Sequence, residues 1–177
     1  MSMLKKLIYG ILIIVAAAAV VGFMLPSHYK VERSIVIEAS PNTIYDYVVD
    51  LKAWPQWGVW FQRDPQMQIS YGGPDRAIGM RSKWTSETQG DGEMEIIQLE
   101  HNRKVEYSLY FPEFDMGSVG RVTFEPTDDG TRVTWSDEGE VGNNPVDRYF
   151  VLMLDDMIGS DFETGLENLK TVVENQG

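Results

Sequence analysis

Few residues in this chain are equipped for chemistry. There are two histidines and no cysteine, so thiol nucleophiles, thiolate metal ligands and most redox chemistry are excluded. His101 sits in a His101-Asn102 turn, and His28 follows an apolar segment closed by Pro26; both positions point to solvent more than to catalysis. Asp155, Asp156 and Asp161 fall on one helical segment, where Asp155 flanks the apolar stripe and Asp156 turns away, the pattern of a solvated face. Asp137, Glu138 and Glu140 close the last strand. Asp137 continues the inward alternation of Val133 and Trp135 and is the best acid candidate, with Tyr107 and Arg81 as the remaining acid, base or anion partners. No HExxH, GxSxG, Walker loop or dinucleotide fingerprint occurs, and Gly72-Gly73-Pro74 reads as a turn. No residues have metal-ligand spacing, so neither a metal nor a cofactor is expected.

Binding is better equipped than catalysis. Trp54, Trp57 and Trp60 recur every third residue; the first two read as plugs holding a short helix on a sheet, while Trp60 is balanced between core and ligand lining. Trp84, Tyr107 and Trp135 fall at inward strand positions, and flexible Met80, Met94, Met153 and Met157 suit an adaptable apolar wall.

The elements that must hold these residues are legible from periodicity. Residues 29–38 are β-branched and roughly alternate, as a strand does. Ser40-Pro41 is an N-cap with proline at N1, and Ile44, Tyr47, Val48 and Leu51 then follow at helical spacing. A second short helix or turn is expected over 51–60. Six short runs at 67–71, 78–86, 93–100, 104–111, 118–125 and 131–140 are separated by turn chemistry, of which Asp129-Gly130 is the firmest hairpin signal. Alternation puts Met80, Ser82, Trp84, Val105, Tyr107, Leu109, Val122, Phe124, Val133 and Trp135 on one inner face, with Arg81, Lys83, Glu106, Arg121, Thr123 and Arg132 outside. A long helix is expected over 144–174, capped by Asn144-Pro145 with Asp147 in its first turn. Its stripe runs Val151, Leu154, Ile158, Phe162, Leu166, Leu169 and Val173, and Phe150, Met153 and Met157 widen it in the first half. The widening implies more to cover there, either sheet core or the contents of a cavity.

Residues 7–25 carry no charge and follow Lys5-Lys6; at about 1.5 Å per residue they reach roughly 28 Å, close to a bilayer's hydrocarbon thickness. A signal peptide is the competing reading, with Ala17-Ala18-Ala19 as cleavage site. Cleavage there would leave Val-Val-Gly-Phe-Met-Leu as a new N-terminus, which favours an uncleaved anchor over 1–26 and one domain over 27–177. Without cysteine, lipidation and S-palmitoylation do not supply the anchor. Lys5, Lys6 and the terminal amine weigh against Lys30 and Arg33, and the reading favoured is a cytoplasmic tail with the domain on the periplasmic side of the inner membrane. The chain has 27 acidic against 15 basic residues, and the only charged side chains before His28 are Lys5 and Lys6, so the domain itself is strongly acidic. Such a surface repels phosphate backbones and anionic headgroups, which argues against nucleic acid as a partner.

The stretch from Val31 through Ser40-Pro41 to Asp50-Leu51-Lys52-Ala53-Trp54-Pro55-Gln56-Trp57 resembles the opening of START-like (SRPBCC) proteins of the polyketide cyclase/dehydrase and lipid-transport branch. Gly130-Thr131-Arg132-Val133-Thr134-Trp135 is similar to that branch's closing strand, and residues 162–170 to its final helix. The resemblance implies an α+β helix-grip fold, a curved antiparallel sheet wrapped around the long C-terminal helix, with a hydrophobic cavity between them. It implies no particular ligand and no single catalytic constellation. The reading that follows is a membrane-tethered domain binding a hydrophobic or amphipathic small molecule, possible linings being Trp60, Met80, Trp84, Tyr107, Trp135, Phe150, Met153 and Met157. The alternatives are a cyclase- or dehydratase-like enzyme using the same cavity, and a protein-interaction module whose cavity is filled.

Overall fold

The computed structural model describes residues 3–175; Met1, Ser2, Gln176 and Gly177, which belong to the expected 1–26 and 27–177 segments, lie outside the described residues. After helix α1 (Met3–Met24) come β1 (His28–Ile37), α2 (Pro41–Val49), a single 3₁₀ turn at Trp54–Gln56 and α3 (Val59–Arg63). Six further strands follow: β2 (Gln68–Gly72), β3 (Arg81–Thr85), β4 (Gly92–Glu100), β5 (Lys104–Phe111), β6 (Met116–Thr127) and β7 (Gly130–Glu140). The last element is α4 (Arg148–Glu174). All neighbouring strands are antiparallel, in the order β1-β7-β6-β5-β4-β3-β2, so sequence-adjacent strands pair except where β7 returns to β1. This is the helix-grip architecture, with α4 held against the inner face of one curved sheet.

Local chemistry explains most boundaries. Ser40 caps α2 by accepting the Thr43 N–H at 3.2 Å, ahead of Pro41. The inner face carries Val105, Tyr107, Val122, Phe124, Val133 and Trp135, all buried, while Arg81, Lys83 and Arg132 are exposed outside. Strand and long-helix starts fall within two residues of the sequence expectation except at two places. The strand expected from 78 begins at Arg81, because positive-φ Gly79 bends the chain while its N–H still reaches the Ile96 carbonyl at 2.8 Å. The long helix begins at Arg148 and not at 144. Asn144 instead folds back on the Val146 N–H (3.1 Å), and turn bonds such as Tyr149 N–H to Val146 O (3.2 Å) precede the first α-turn.

The second half of α4 grips the sheet through Phe162, Leu166, Leu169 and Val173. Its close approach needs small residues: a Cβ on Gly165 would meet the Trp135 ring at 2.8 Å, and one on Gly159 would collide with the Arg33 guanidinium. Arg33, facing inward from edge strand β1, clamps the helix through Asp155 (3.0 Å) and Glu163 (2.7 Å). Farther along, Lys170 Nζ donates to the Val36 carbonyl at 3.0 Å.

α1 has the length and composition to cross a membrane, as an anchor or as a signal sequence. Its last turns touch the start of α4. Arg148 Nη1 donates to the carbonyls of Phe23 (3.0 Å) and Leu25 (3.2 Å), and the Tyr149 hydroxyl donates to the Ala18 carbonyl (2.7 Å). Gly22 lies so close to Pro145 that a Cβ would strike it.

Candidate ligand cavity

Three glycines make room for three aromatic rings. Trp84, Tyr107 and Tyr29 each pair across strands with a glycine, respectively Gly92, Gly120 and Gly139. A Cβ on Gly92 or Gly120 would clash with the facing ring, and one on Gly139 would meet the Tyr29 hydroxyl at 2.9 Å. The rings therefore lie over bare backbone and leave volume above the sheet. Trp54 covers that volume from the 3₁₀ turn, Trp60 and Phe61 from α3, and Ile158, Asp161 and Phe162 from α4. The enclosed space is about 180 Å³. Its wall is mostly apolar and includes Met94, Leu109 and Phe111, while half-buried Phe61, Gln89, Phe111 and Ile158 form the rim. A larger depression of about 900 Å³ between the 127–130 turn and Lys170 is open, polar and far from these rings.

The polar groups in the cavity are few and specific. Asp137 is 4% exposed and accepts from the Tyr29 hydroxyl at 3.0 Å and the Ser118 hydroxyl at 2.9 Å. Burial raises its pKa above the ordinary carboxylate range, against the two hydrogen bonds, which pull it down. Tyr29 and Tyr107 are also pushed up, first by burial and then by the nearby Asp137 charge, so both stay phenols. The Tyr107 hydroxyl accepts the Trp135 indole N–H at 2.8 Å. At the rim, Asp161 accepts the Trp60 indole N–H at 3.0 Å and pairs with Arg63, fastening α3 to α4 across the opening. Asp161, expected on a solvated face, is thus part of the cavity.

Of the lining residues expected from sequence, Trp60, Trp84 and Tyr107 border the space, as does Met94. The structure corrects five others. Met80 is buried in the loop ahead of β3, its sulfur accepting the Arg76 N–H at 3.2 Å. Trp135 lies beneath the cavity, stacked on Phe162 with ring centroids 4.2 Å apart and ringed by Trp54, Trp57 and Trp60. Phe150, Met153 and Met157 are 56%, 55% and 58% exposed, because this part of α4 turns Val151 and Leu154 toward the core and these three side chains away from it. Among the weak catalytic candidates, Arg81 is on the outer face, paired with Glu95 at 2.7 Å, while Asp137 and Tyr107 share the cavity. His28 and His101 are exposed, His101 edge-on to Tyr45. Among the described residues no cluster of His, Cys, Asp or Glu could hold a metal ion. Sequence reasoning missed Tyr29, Ser118 and Gln89; the only available signal was the cross-strand glycine pattern, which needs the register.

Residues 28–174 match the family described as polyketide cyclase/dehydrase and lipid transport. The chain belongs to that family. Solved structures of the same fold include the Staphylococcus aureus protein SA2116 (17% identity, TM-score 0.66), covering 84% of this chain and 95% of that one. The Mesorhizobium loti protein MLL2253 superposes with 19% identity and TM-score 0.61 over 84% of this chain and 98% of its own. The di-domain aromatase/cyclase (ARO/CYC) StfQ of steffimycin biosynthesis does so with 16% identity and TM-score 0.63, over 84% of this chain and 51% of its own. No curated protein matches the sequence significantly. At these identities the solved structures establish the fold, and the family is consistent with binding of a small apolar ligand or with cyclase chemistry.

Proposed function

We propose that this chain is a membrane-tethered binder of a small hydrophobic or amphipathic molecule. The observation that carries the reading is the enclosed 180 Å³ space walled by Trp54, Trp84, Tyr107, Leu109 and Phe111, with Asp137, Tyr29 and Ser118 grouped at one side. An apolar cavity of about 150 Å³ accepts a benzene-sized guest, so this one takes a ring or the end of an acyl or isoprenoid chain, not a whole phospholipid. The Asp137, Tyr29 and Ser118 group would bond a single hydroxyl or carbonyl on that guest, the one polar anchor in an otherwise apolar site. Tethering through α1 would keep the rim close to membrane-dissolved ligand at high effective concentration, with the domain on the extracytoplasmic side. Open volume argues against the filled-cavity interaction module.

The test is native mass spectrometry of the full chain purified from membranes, beside Leu109→Trp, which fills the cavity. An apolar adduct on the parent chain that Leu109→Trp loses supports binding. A parent chain with no adduct and no displaceable uptake of a polarity-sensitive dye refutes it. A second reading, acid catalysis on the bound guest, is favoured by Asp137 alone, a buried carboxyl shifted toward its proton-bearing form. It predicts solvent-deuterium incorporation into the guest that Asp137→Asn abolishes while the guest remains bound.

A further inference from the structure

The apolar widening of α4 covers neither sheet core nor cavity. Phe150, Met153 and Met157 follow at steps of three and four along one exposed face, preceded just before the helix by exposed Val146. Past the cavity rim the same face carries Ser160, Thr164 and Thr171. What covers the apolar half is indicated by where the helix starts. Tyr149 is bonded to Ala18 and Arg148 to Phe23 and Leu25, so the first turn of α4 lies against the flank of α1, not beyond its end. Ala18 is six residues before Met24, about 9 Å along the helix axis. If α1 spans a bilayer, Tyr149 sits about 9 Å below the helix end, within the roughly 5–10 Å depth at which interfacial amphipathic helices bury their apolar face. A tyrosine at that depth matches the aromatic belt of membrane proteins.

Topology brings the cavity to the same side. Register places the start of β1, the end of β7, the β5–β6 turn and the β3–β4 turn at one end of the sheet, the end to which α1 is joined. Exposed Phe114 lies in the β5–β6 turn, and the rim residues Phe111 and Gln89 lie beside these two turns. Along α4, Met157 is followed at once by Ile158 on the rim.

We propose that residues 146–157 lie in the lipid interface as a ramp, a bilayer-embedded apolar face that leads from the membrane to the cavity rim. The inference rests on the tethering reading above and adds the route by which ligand enters. The occupant is lipid acyl chain and not anionic headgroup. Residues 146–157 contain Asp147, Asp155 and Asp156 and a single basic residue, Arg148, which is engaged with α1 carbonyls. Insertion is therefore driven by apolar burial and proceeds in zwitterionic phosphatidylcholine without added anionic lipid.

The absence of cysteine makes site-specific labelling clean. The full chain is reconstituted in phosphatidylcholine vesicles as single variants Met153→Cys, Met157→Cys, Thr164→Cys and Val15→Cys, each with a polarity-sensitive fluorophore, with and without doxyl-labelled lipid. Expected is about twofold or greater quenching at 153, 157 and 15 and none at 164, as for a face buried in the acyl boundary. Quenching at 15 but not at 153 and 157 overturns the ramp while leaving the tether intact. No quenching at 15 overturns both. Blue-shifted emission at 153 that resists lipid quenching and fades as protein is diluted into excess lipid assigns the face to a second copy of the chain, and the ramp is wrong. Cavity binding is read separately by the mass-spectrometric adduct.

Discussion

The second half of α4 buries Phe162, Leu166, Leu169 and Val173 against the sheet and turns Thr164, Glu167 and Thr171 to solvent. The first half packs Val151 and Leu154 on the core and turns Phe150, Met153 and Met157 outward on its far side. One helix thus packs a single stripe along its length, while its first half alone carries a second, uncovered apolar face, and apolarity does not say which of the two faces packs. The difference is in what lies beside them: Trp135 under the second half, the end of α1 beside the first, with Arg33 reaching both through Glu163 and Asp155.

The sharpest way to break this contrast is to remove one aromatic from each half. Phe162→Ala removes the ring stacked on Trp135 and should cost about 3–5 kcal/mol, a fall in the chemical denaturation midpoint large enough to threaten folding. Phe150→Ala should stay within about 0.5 kcal/mol of the parent chain in detergent. Equal losses at the two positions would mean that the outward face of the first half is packed within the protein after all. Next in size is Gly159→Val at the boundary between the halves, where the new side chain must displace the Arg33 guanidinium; a loss of about 1–3 kcal/mol is expected from overpacking, recovered in part by Arg33→Ala in the same chain.

Two carboxylates, Asp137 in the cavity and Asp155 on the first half of α4, then respond oppositely to pH. Burial raises Asp137 in the folded state above its unfolded value, so the native protein binds the extra proton; the stabilisation is full below about pH 4 and is lost as pH rises through the raised folded value. Denaturation midpoints of Asp137→Asn against the parent should therefore differ in slope from about pH 4 upward, the variant gaining relative stability as pH rises. Asp155 behaves oppositely, because hydrogen bonds from Arg33 lower its pKa; its contribution is present above the unfolded value and is lost on acidification. Being exposed and screened, it gives the smallest effect, and Asp155→Asn should leave the midpoint at pH 7 nearly unchanged.

The fold was legible to the extent that each element carries its own period and punctuation. Ser40-Pro41 and Asp129-Gly130 mark their boundaries by local geometry, and the structure places a helix start and a hairpin there. The start of α4 was misread because Asn144-Pro145 has the chemistry of a cap, yet Asn144 spends its side chain on a turn of its own. The cavity was half legible. Inward alternation selects Trp84, Tyr107 and Asp137, but it treats Trp135 alike, and only the Phe162 ring stacked above Trp135 removes it from the lining. Tyr29 and Ser118 converge on Asp137 from 108 and 19 residues away, a meeting no local pattern contains.

By itself the sequence determined the helix-grip family, an apolar N-terminal segment long enough for a bilayer, an acidic domain and a chain poor in catalytic groups, because composition and period are properties of short stretches. Tertiary structure decided which aromatics face empty space, since that depends on strand register setting Trp84, Tyr107 and Tyr29 opposite Gly92, Gly120 and Gly139. It also decided that Phe150, Met153 and Met157 face outward while Val151 and Leu154 pack on the core, since burial is fixed by the partner surface and not by the apolarity of the residue.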